Sequence, residues 1–220
     1  MEGCLPGVVR VLRRVASQLL GRLLLADVIS IIVPTISGRE EFLARTLLAW
    51  ERNTKVKHEI IEVKDKPTWP AACNHGAVQA QGDIIVWGAD DLDPFPRWHK
   101  DILRWFKERD ELPAPRIHNY SEESPVWNTE DGPDGAVPLF TRVPIMSRSQ
   151  MERIGPWPEQ LIYYADYWVS EKGRTLGIET RNLWSYAFVH HWCQIGRVDS
   201  PENYDWSGAE FKRLQKRMGR

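Results

Sequence analysis

With 220 residues, 42% of them hydrophobic and 27% charged, the chain is long enough for one well-buried α/β domain and too short for two ordinary ones. The 29 lysines and arginines nearly cancel the 30 aspartates and glutamates, so a net charge of -1 gives no bulk basicity and no nucleic-acid partner is expected. Three cysteines, Cys4, Cys73 and Cys193, are odd in number and far apart with no CxxC pair; this suggests neither a disulfide framework nor a zinc site, and a reducing, cytoplasmic compartment is the easier reading.

The N-terminal residues 1–27 form an extension. Arg10, Arg13, Arg14 and Arg22 are interleaved there with Val8, Val9, Leu12, Val15, Leu19, Leu20, Leu23 and Leu24, which reads as a cationic amphipathic helix. Two readings stand side by side: a helix packed on the domain or poorly ordered, and one lying peripherally on a membrane or binding a partner. No run reaches the roughly 18 to 20 apolar residues that span a bilayer.

The regular domain, residues 28–200, begins at the β-branched run Val28-Ile29-Ser30-Ile31-Ile32-Val33, a strand buried on both faces and ended by Pro34 and Thr35. Ser37-Gly38-Arg39-Glu40 has capping-box spacing, and Leu43, Leu47 and Trp50 repeat at helical intervals. A second strand is expected over 59–63, with Lys64 and Asp65 after it. Thr68 caps the next helix, Pro70 sits in its first turn, and Ala72, Gly76, Ala77 and Ala80 give it a small-residue face. Gly82 closes that helix, residues 83–87 form a third strand, and Trp98, Ile102, Trp105 and Phe106 mark another amphipathic helix.

This alternation predicts an α/β fold with a mainly parallel central sheet in three α/β/α layers, its ligands at the carboxyl ends of the strands. That rule gathers Pro34, Thr35, Asp65 and residues 90–93 around one crevice. Residues 113–138, rich in proline, glycine, serine and acid, read as a long surface excursion. Beyond it, helices are expected over 147–154 and 165–176, with a strand over 178–184. Residues 201–220 form a basic tail, read as a solvated helix or as a contact for an anionic surface. The eleven tryptophans, among them Trp69, Trp87, Trp98, Trp157, Trp168 and Trp192, fill the core, with some available to line a ligand site.

Asp90, Asp91 and Asp93 crowd three carboxylates into four positions after an apolar strand. Unless the turn is merely solvated, something positive must sit there. Hard divalent cations, Mg²⁺ or Mn²⁺, meet that need with one or two carboxylates plus phosphate oxygens of a substrate.

Four motifs in register over about 70 residues resemble the nucleotide-binding half of family-2-like GT-A glycosyltransferases. They are Ile29-Ser30-Ile31-Ile32-Val33-Pro34-Thr35; Glu59-Ile60-Ile61 with Asp65; Cys73-Asn74-His75-Gly76-Ala77 with Ala80-Gln81-Gly82-Asp83; and residues 84–93 followed by Pro94 and Trp98. The resemblance implies a GT-A fold, with residues 28–112 as the nucleotide half and 139–200 as the acceptor and metal half. It implies a nucleoside-diphosphate sugar donor, most simply a UDP-sugar, and an acceptor hydroxyl of unspecified identity. Pro34 and Thr35 would lie against the nucleotide, Asp65 near its base, and Asn74 with Gly76 at the pocket floor. Asp90 would contact the donor, and Asp91 and Asp93, with His190 and His191, would be metal ligands.

Gly88 stands where the first acid of the usual DxD would fall, so Asp90 and the Asp91-Leu92-Asp93 frame both remain open. Ala165-Asp166-Tyr167-Trp168 stands where the family often has Glu-Asp and an aromatic residue. Asp166 is therefore the candidate general base of an inverting transfer, with a helix N-terminal acid as the alternative. Two other functions are weighed: a catalytically inactive nucleotide-sugar binding module, of which Gly88 and Ala165 would be traces, and a sugar nucleotidyltransferase, whose Gly-rich basic loop residues 35–40 do not supply.

Overall fold

The computed structural model describes residues 28–121, 124–129, 141–191 and 201–218. The cationic N-terminal segment and Trp192 lie outside them.

Strand β1 (Ile29–Thr35) is buried along its whole length because it is covered on both faces. Ile29, Ile31 and Val33 join one core with Trp50, Ile84, Val86 and Phe188; Ile32 joins a second core with Ile61, Val63, Ile85 and Trp87. A strand with two buried faces cannot alternate polar and apolar, which is why the run reads as continuously hydrophobic. Helix α1 (Glu40–Asn53), β2 (His58–Lys64), α2 (Trp69–Gln79) and β3 (Ile84–Trp87) complete the expected β-α-β-α-β order. Both β2 and β3 pair parallel to β1.

Thr68 caps α2 as expected, its hydroxyl accepting from the Ala71 amide at 3.2 Å. Gly76 lets this helix lie against the sheet: a Cβ there would stand 2.4 Å from Ile32 Cγ2. The capping box expected at Ser37 does not form. Arg39 is the N-cap of α1 without a side-chain cap bond, and the Ser37 hydroxyl goes to Asp65 instead, at 2.8 Å. The chain turns at Gly38, where φ is +90°, a conformation open to glycine.

After β3 come β4 (Leu92–Pro94), α3 (Trp98–Glu108), β5 (Leu112–Ser121), β6 (Ser124–Thr129), β7 (Ile145–Ser147), α4 (Arg148–Ile154), α5 (Ala165–Thr175), β8 (Thr180–His191) and α6 (Pro201–Arg217). Strand β7 adds antiparallel to β3, giving the first sheet the order β2-β1-β3-β7. A second sheet runs β4-β8-β5-β6.

Two expectations are corrected here. Residues 113–138 are not simply a surface excursion, since β5 and β6 occupy much of that stretch. The prolines that hid the strand, Pro113 and Pro115, fall on the part of β5 flanked by β8 alone, before pairing with β6 starts at His118. A missing N–H is tolerated at such an edge. The last strand also runs seven residues past Trp184, to His191, because its far end pairs with β4 as well as β5. The layers meet in two cores. Helices α1 and α3 and the second sheet share one with the front of the first sheet, while α2, α4, α5 and α6 cover its other face.

Candidate functional site

The carboxyl ends of β1 and β3 lie side by side, and the chain leaving β3 is fixed at once: the Gly88 amide donates to the Ile32 carbonyl at 2.9 Å. A Cβ at position 88 would sit 3.2 Å from that same carbonyl oxygen. A side chain there would press on that carbonyl by a few tenths of an ångström, so glycine suits the close approach at the position where the DxD pattern departs.

The next residues form the acidic turn. Thr35 Oγ1 donates to Asp90 Oδ2 at 2.6 Å, and Arg39 Nη2 lies 2.7 Å from Asp90 Oδ1 and 2.8 Å from Asp91 Oδ2. Thr46 of α1 places its hydroxyl 2.8 Å from both the Asp90 carbonyl and Asp93 Oδ1. From the second sheet, the His191 amide donates to the Asp91 carbonyl at 2.8 Å, and His190 Nε2 stands 3.7 Å from Asp91 Oδ1. His191 Nε2 is 2.9 Å from Asp93 Oδ2, with Arg45 Nε at 3.4 Å. Strand β8 thus carries both histidines to the turn, more than 95 residues from it in sequence.

The carboxylates experience different fields. Burial raises the Asp90 carboxyl above its ordinary value, although Thr35 and Arg39 pull the other way. Burial also acts on Asp93, but hydrogen bonds from His191 and Thr46 and the charge of Arg45 outweigh it and leave that carboxyl lowered.

A cleft of about 230 Å³ opens over this turn, lined by Pro34 and Thr35 at the end of β1, by Arg39 in the loop beyond it, and by Asp90 and Asp91 after β3. Lys66, Trp69, Ile162 and Tyr163 also contribute. Trp69 donates its indole N–H to the Gly88 carbonyl at 3.1 Å and packs edge-on to Trp157 (4.9 Å between centroids), which stacks on buried Trp87 at 5.5 Å. Among the described residues Trp50, Trp87, Trp98, Trp105, Trp157 and Trp168 are buried in the core, and Trp69 brings that indole chain to the cleft wall.

The structure brings Pro34, Thr35, Asp90 and Asp91 together in the cleft, with His190 beside Asp91. Asp93 and His191 pair with each other at the adjoining end of β4. Asp65, with φ at 54°, accepts from the Ser37 amide at 2.7 Å and the Ser37 hydroxyl at 2.8 Å, and these bonds lower its carboxyl. It braces the loop after β1, and its neighbour Lys66 is the one that lines the cleft. Asn74 faces the other way round, tying Trp157 through its amide (2.8 Å) and carbonyl (2.9 Å). Gly76 meets Ile32, so α2 supplies Trp69 and Ala72 to the cleft.

Asp166 lies in the first turn of α5, three residues beyond cleft-lining Tyr163, and accepts from the Tyr167 amide at 2.9 Å. Burial pushes its carboxyl up to about 6, with the Arg142 charge opposing. Arg39, Thr46, Lys66 and Tyr163 are the residues that sequence reasoning missed. Arg39 was within reach of the strand-end rule, but its loop reads as a helix cap; Thr46 and Tyr163 carry no local signal.

Among the described residues, no group of three or more His, Cys, Asp or Glu side chains is arranged to hold a metal ion by itself. Also among them, no helix is long and apolar enough to cross a membrane.

No family model matches the sequence, and no curated protein matches it. Solved structures do match. A structure of S. aureus TarS superposes with a TM-score of 0.61 at 16% identity, over 85% of this chain and 38% of that one. A structure of S. aureus TarS 1-349 gives 0.60 at 14% identity, over 86% and 64%. The chain therefore spans less than two thirds of each TarS chain. Likeness at this identity shows the fold alone: an α/β architecture shared with the TarS structures.

Proposed function

We propose that the chain is a glycosyltransferase that moves a sugar from a nucleoside-diphosphate sugar, a UDP-sugar in the first instance, to an acceptor hydroxyl. The observation that carries this reading is the convergence of Thr35, Arg39, Asp90 and Asp91 in one cleft, at the carboxyl ends of parallel strands, within a glycosyltransferase-like fold.

The donor chemistry of the turn fits Mn²⁺ or Mg²⁺. Such ions prefer oxygen ligands and take one or two carboxylates plus substrate phosphates, so a three-residue cage is not needed. Asp91 would hold the ion, with His190 beside it, while Asp93 and His191 pair on β4 and β8 next to it. When bound, the ion supplies positive charge against the departing diphosphate. Thr35 and Asp90 shape the donor side of the cleft, and Trp69 and Tyr163 offer aromatic surface where a sugar or base would rest. The Asp166 carboxylate takes the proton from the acceptor hydroxyl as its oxygen attacks the anomeric carbon, which inverts that centre.

The test is transfer or hydrolysis of UDP-sugars and GDP-sugars with and without Mn²⁺. Asp91→Asn is expected to lose about a hundredfold or more of metal-dependent turnover while remaining folded. Full activity in both Asp91→Asn and Asp93→Asn would overturn the metal site, and binding without turnover on any acceptor would leave a binding module.

A further inference from the structure

Among the described residues, the positive charge that bridges two carboxylates of the acidic turn is Arg39. It leaves the loop after β1, and a single nitrogen, Nη2, lies 2.7 Å from Asp90 Oδ1 and 2.8 Å from Asp91 Oδ2. The side chain is only 11% exposed and the two carboxylates 5% and 10%, so the three groups face one another in a setting that screens charge poorly. Phe42, one turn into α1, lies under the guanidinium with its ring centre 5.8 Å from Cζ. Arg39 also lines the cleft alongside Asp90 and Asp91.

Two carboxylates this close repel unless a cation lies between them. Without a divalent ion, Arg39 supplies that charge and holds the turn in the shape the donor meets. Its fixed planar fork is also the side chain best matched to phosphate oxygens.

We propose that Arg39 is a resident counter-cation of the acidic turn, competing with the divalent ion for Asp91 and passing to the diphosphate of the donor when that ion arrives. The proposal rests on the reading of the cleft as a metal and donor site, the ion for its first half and the diphosphate for its second. Arg39 acts on the ion through Asp91, as a positioning residue, and on the donor by direct contact. The two roles oppose each other. Removing the guanidinium frees Asp91 for a metal, yet takes a hydrogen-bond donor from the diphosphate.

The experiment titrates the full chain with Mn²⁺ alone and then with UDP in saturating Mn²⁺, comparing wild type with Arg39→Gln and Arg39→Lys. In Arg39→Gln, Mn²⁺ is expected to bind about tenfold more tightly and UDP about tenfold more weakly. Arg39→Lys, which keeps a charge but not the fork, shifts both in the same directions by about threefold. A merely structural arginine would weaken both ligands together, and that result overturns the proposal. So does a Mn²⁺ affinity that neither substitution changes. If Arg39→Gln fails to fold, the lysine variant decides by the same signs. Wild type that binds Mn²⁺ but no UDP would instead overturn the donor reading, and with it the contact to diphosphate.

Discussion

Asp166 occupies a position where stability and chemistry pull apart. Its carboxyl is raised from 3.8 to about 6 by burial, so between those values the folded chain holds a proton that the unfolded chain has lost. Folding stability then falls as pH rises from about 4 to about 6, and the whole penalty is present at neutral pH. Asp166→Asn removes the charge and is expected to raise stability at pH 7.5 by about 2 kcal/mol, read from urea unfolding. If Asp166 is the base, the same variant loses transfer activity, and the rise of wild-type kcat/KM through about pH 6 vanishes with it. A variant less stable than wild type at pH 7.5 would contradict the buried-charge account. One that kept its activity would move the base elsewhere.

At the level of elements, the turn after β3 is a junction of three pieces: α1 through Thr46, the end of β1 and the loop beyond it through Thr35 and Arg39, and β8 through the two histidines. Thr46 is fully buried, and its hydroxyl shares one proton between the Asp90 carbonyl and the Asp93 carboxylate, each 2.8 Å away. Thr46→Val keeps the shape and removes the donor, which is expected to cost about 1 to 3 kcal/mol in thermal or urea unfolding. A change well under that range would show that the hydroxyl does not brace the turn.

The same elements show what could be seen without coordinates. The strand at Ile29, the Thr68 cap and the apolar face of α3 follow from neighbours within a few positions, and they were legible. The cap at Ser37 was misread because Asp65, 28 residues away, competes for its hydroxyl. Strand β5 was hidden by its prolines, whose cost depends on which side of the strand has a partner. The cleft could be placed at the strand ends, and Thr35, Asp90 and Asp91 with it. Lys66, Tyr163 and the bridging role of Arg39 depend on contacts made only after folding, so no local pattern announced them.

Across the whole molecule, the first sheet places Thr35, Asp90 and Asp91 and the second sheet contributes the histidines, with one hydrophobic core shared between them. Neither sheet makes the turn alone. The His191 amide, bonded to the Asp91 carbonyl, is the point where the second sheet holds the first sheet's acidic turn. Its rate of hydrogen exchange therefore reports the opening of that junction. A ligand in the cleft that adds bonds to Asp91 is expected to slow exchange at His191 by about tenfold or more, while amides of α4 on the opposite face of the sheet keep their rates. Equal slowing everywhere would mean that the ligand stabilises the fold as a whole, and no change at His191 would place the ligand elsewhere. A single backbone proton thus serves as a clock for occupancy, readable before substrate or acceptor has been identified.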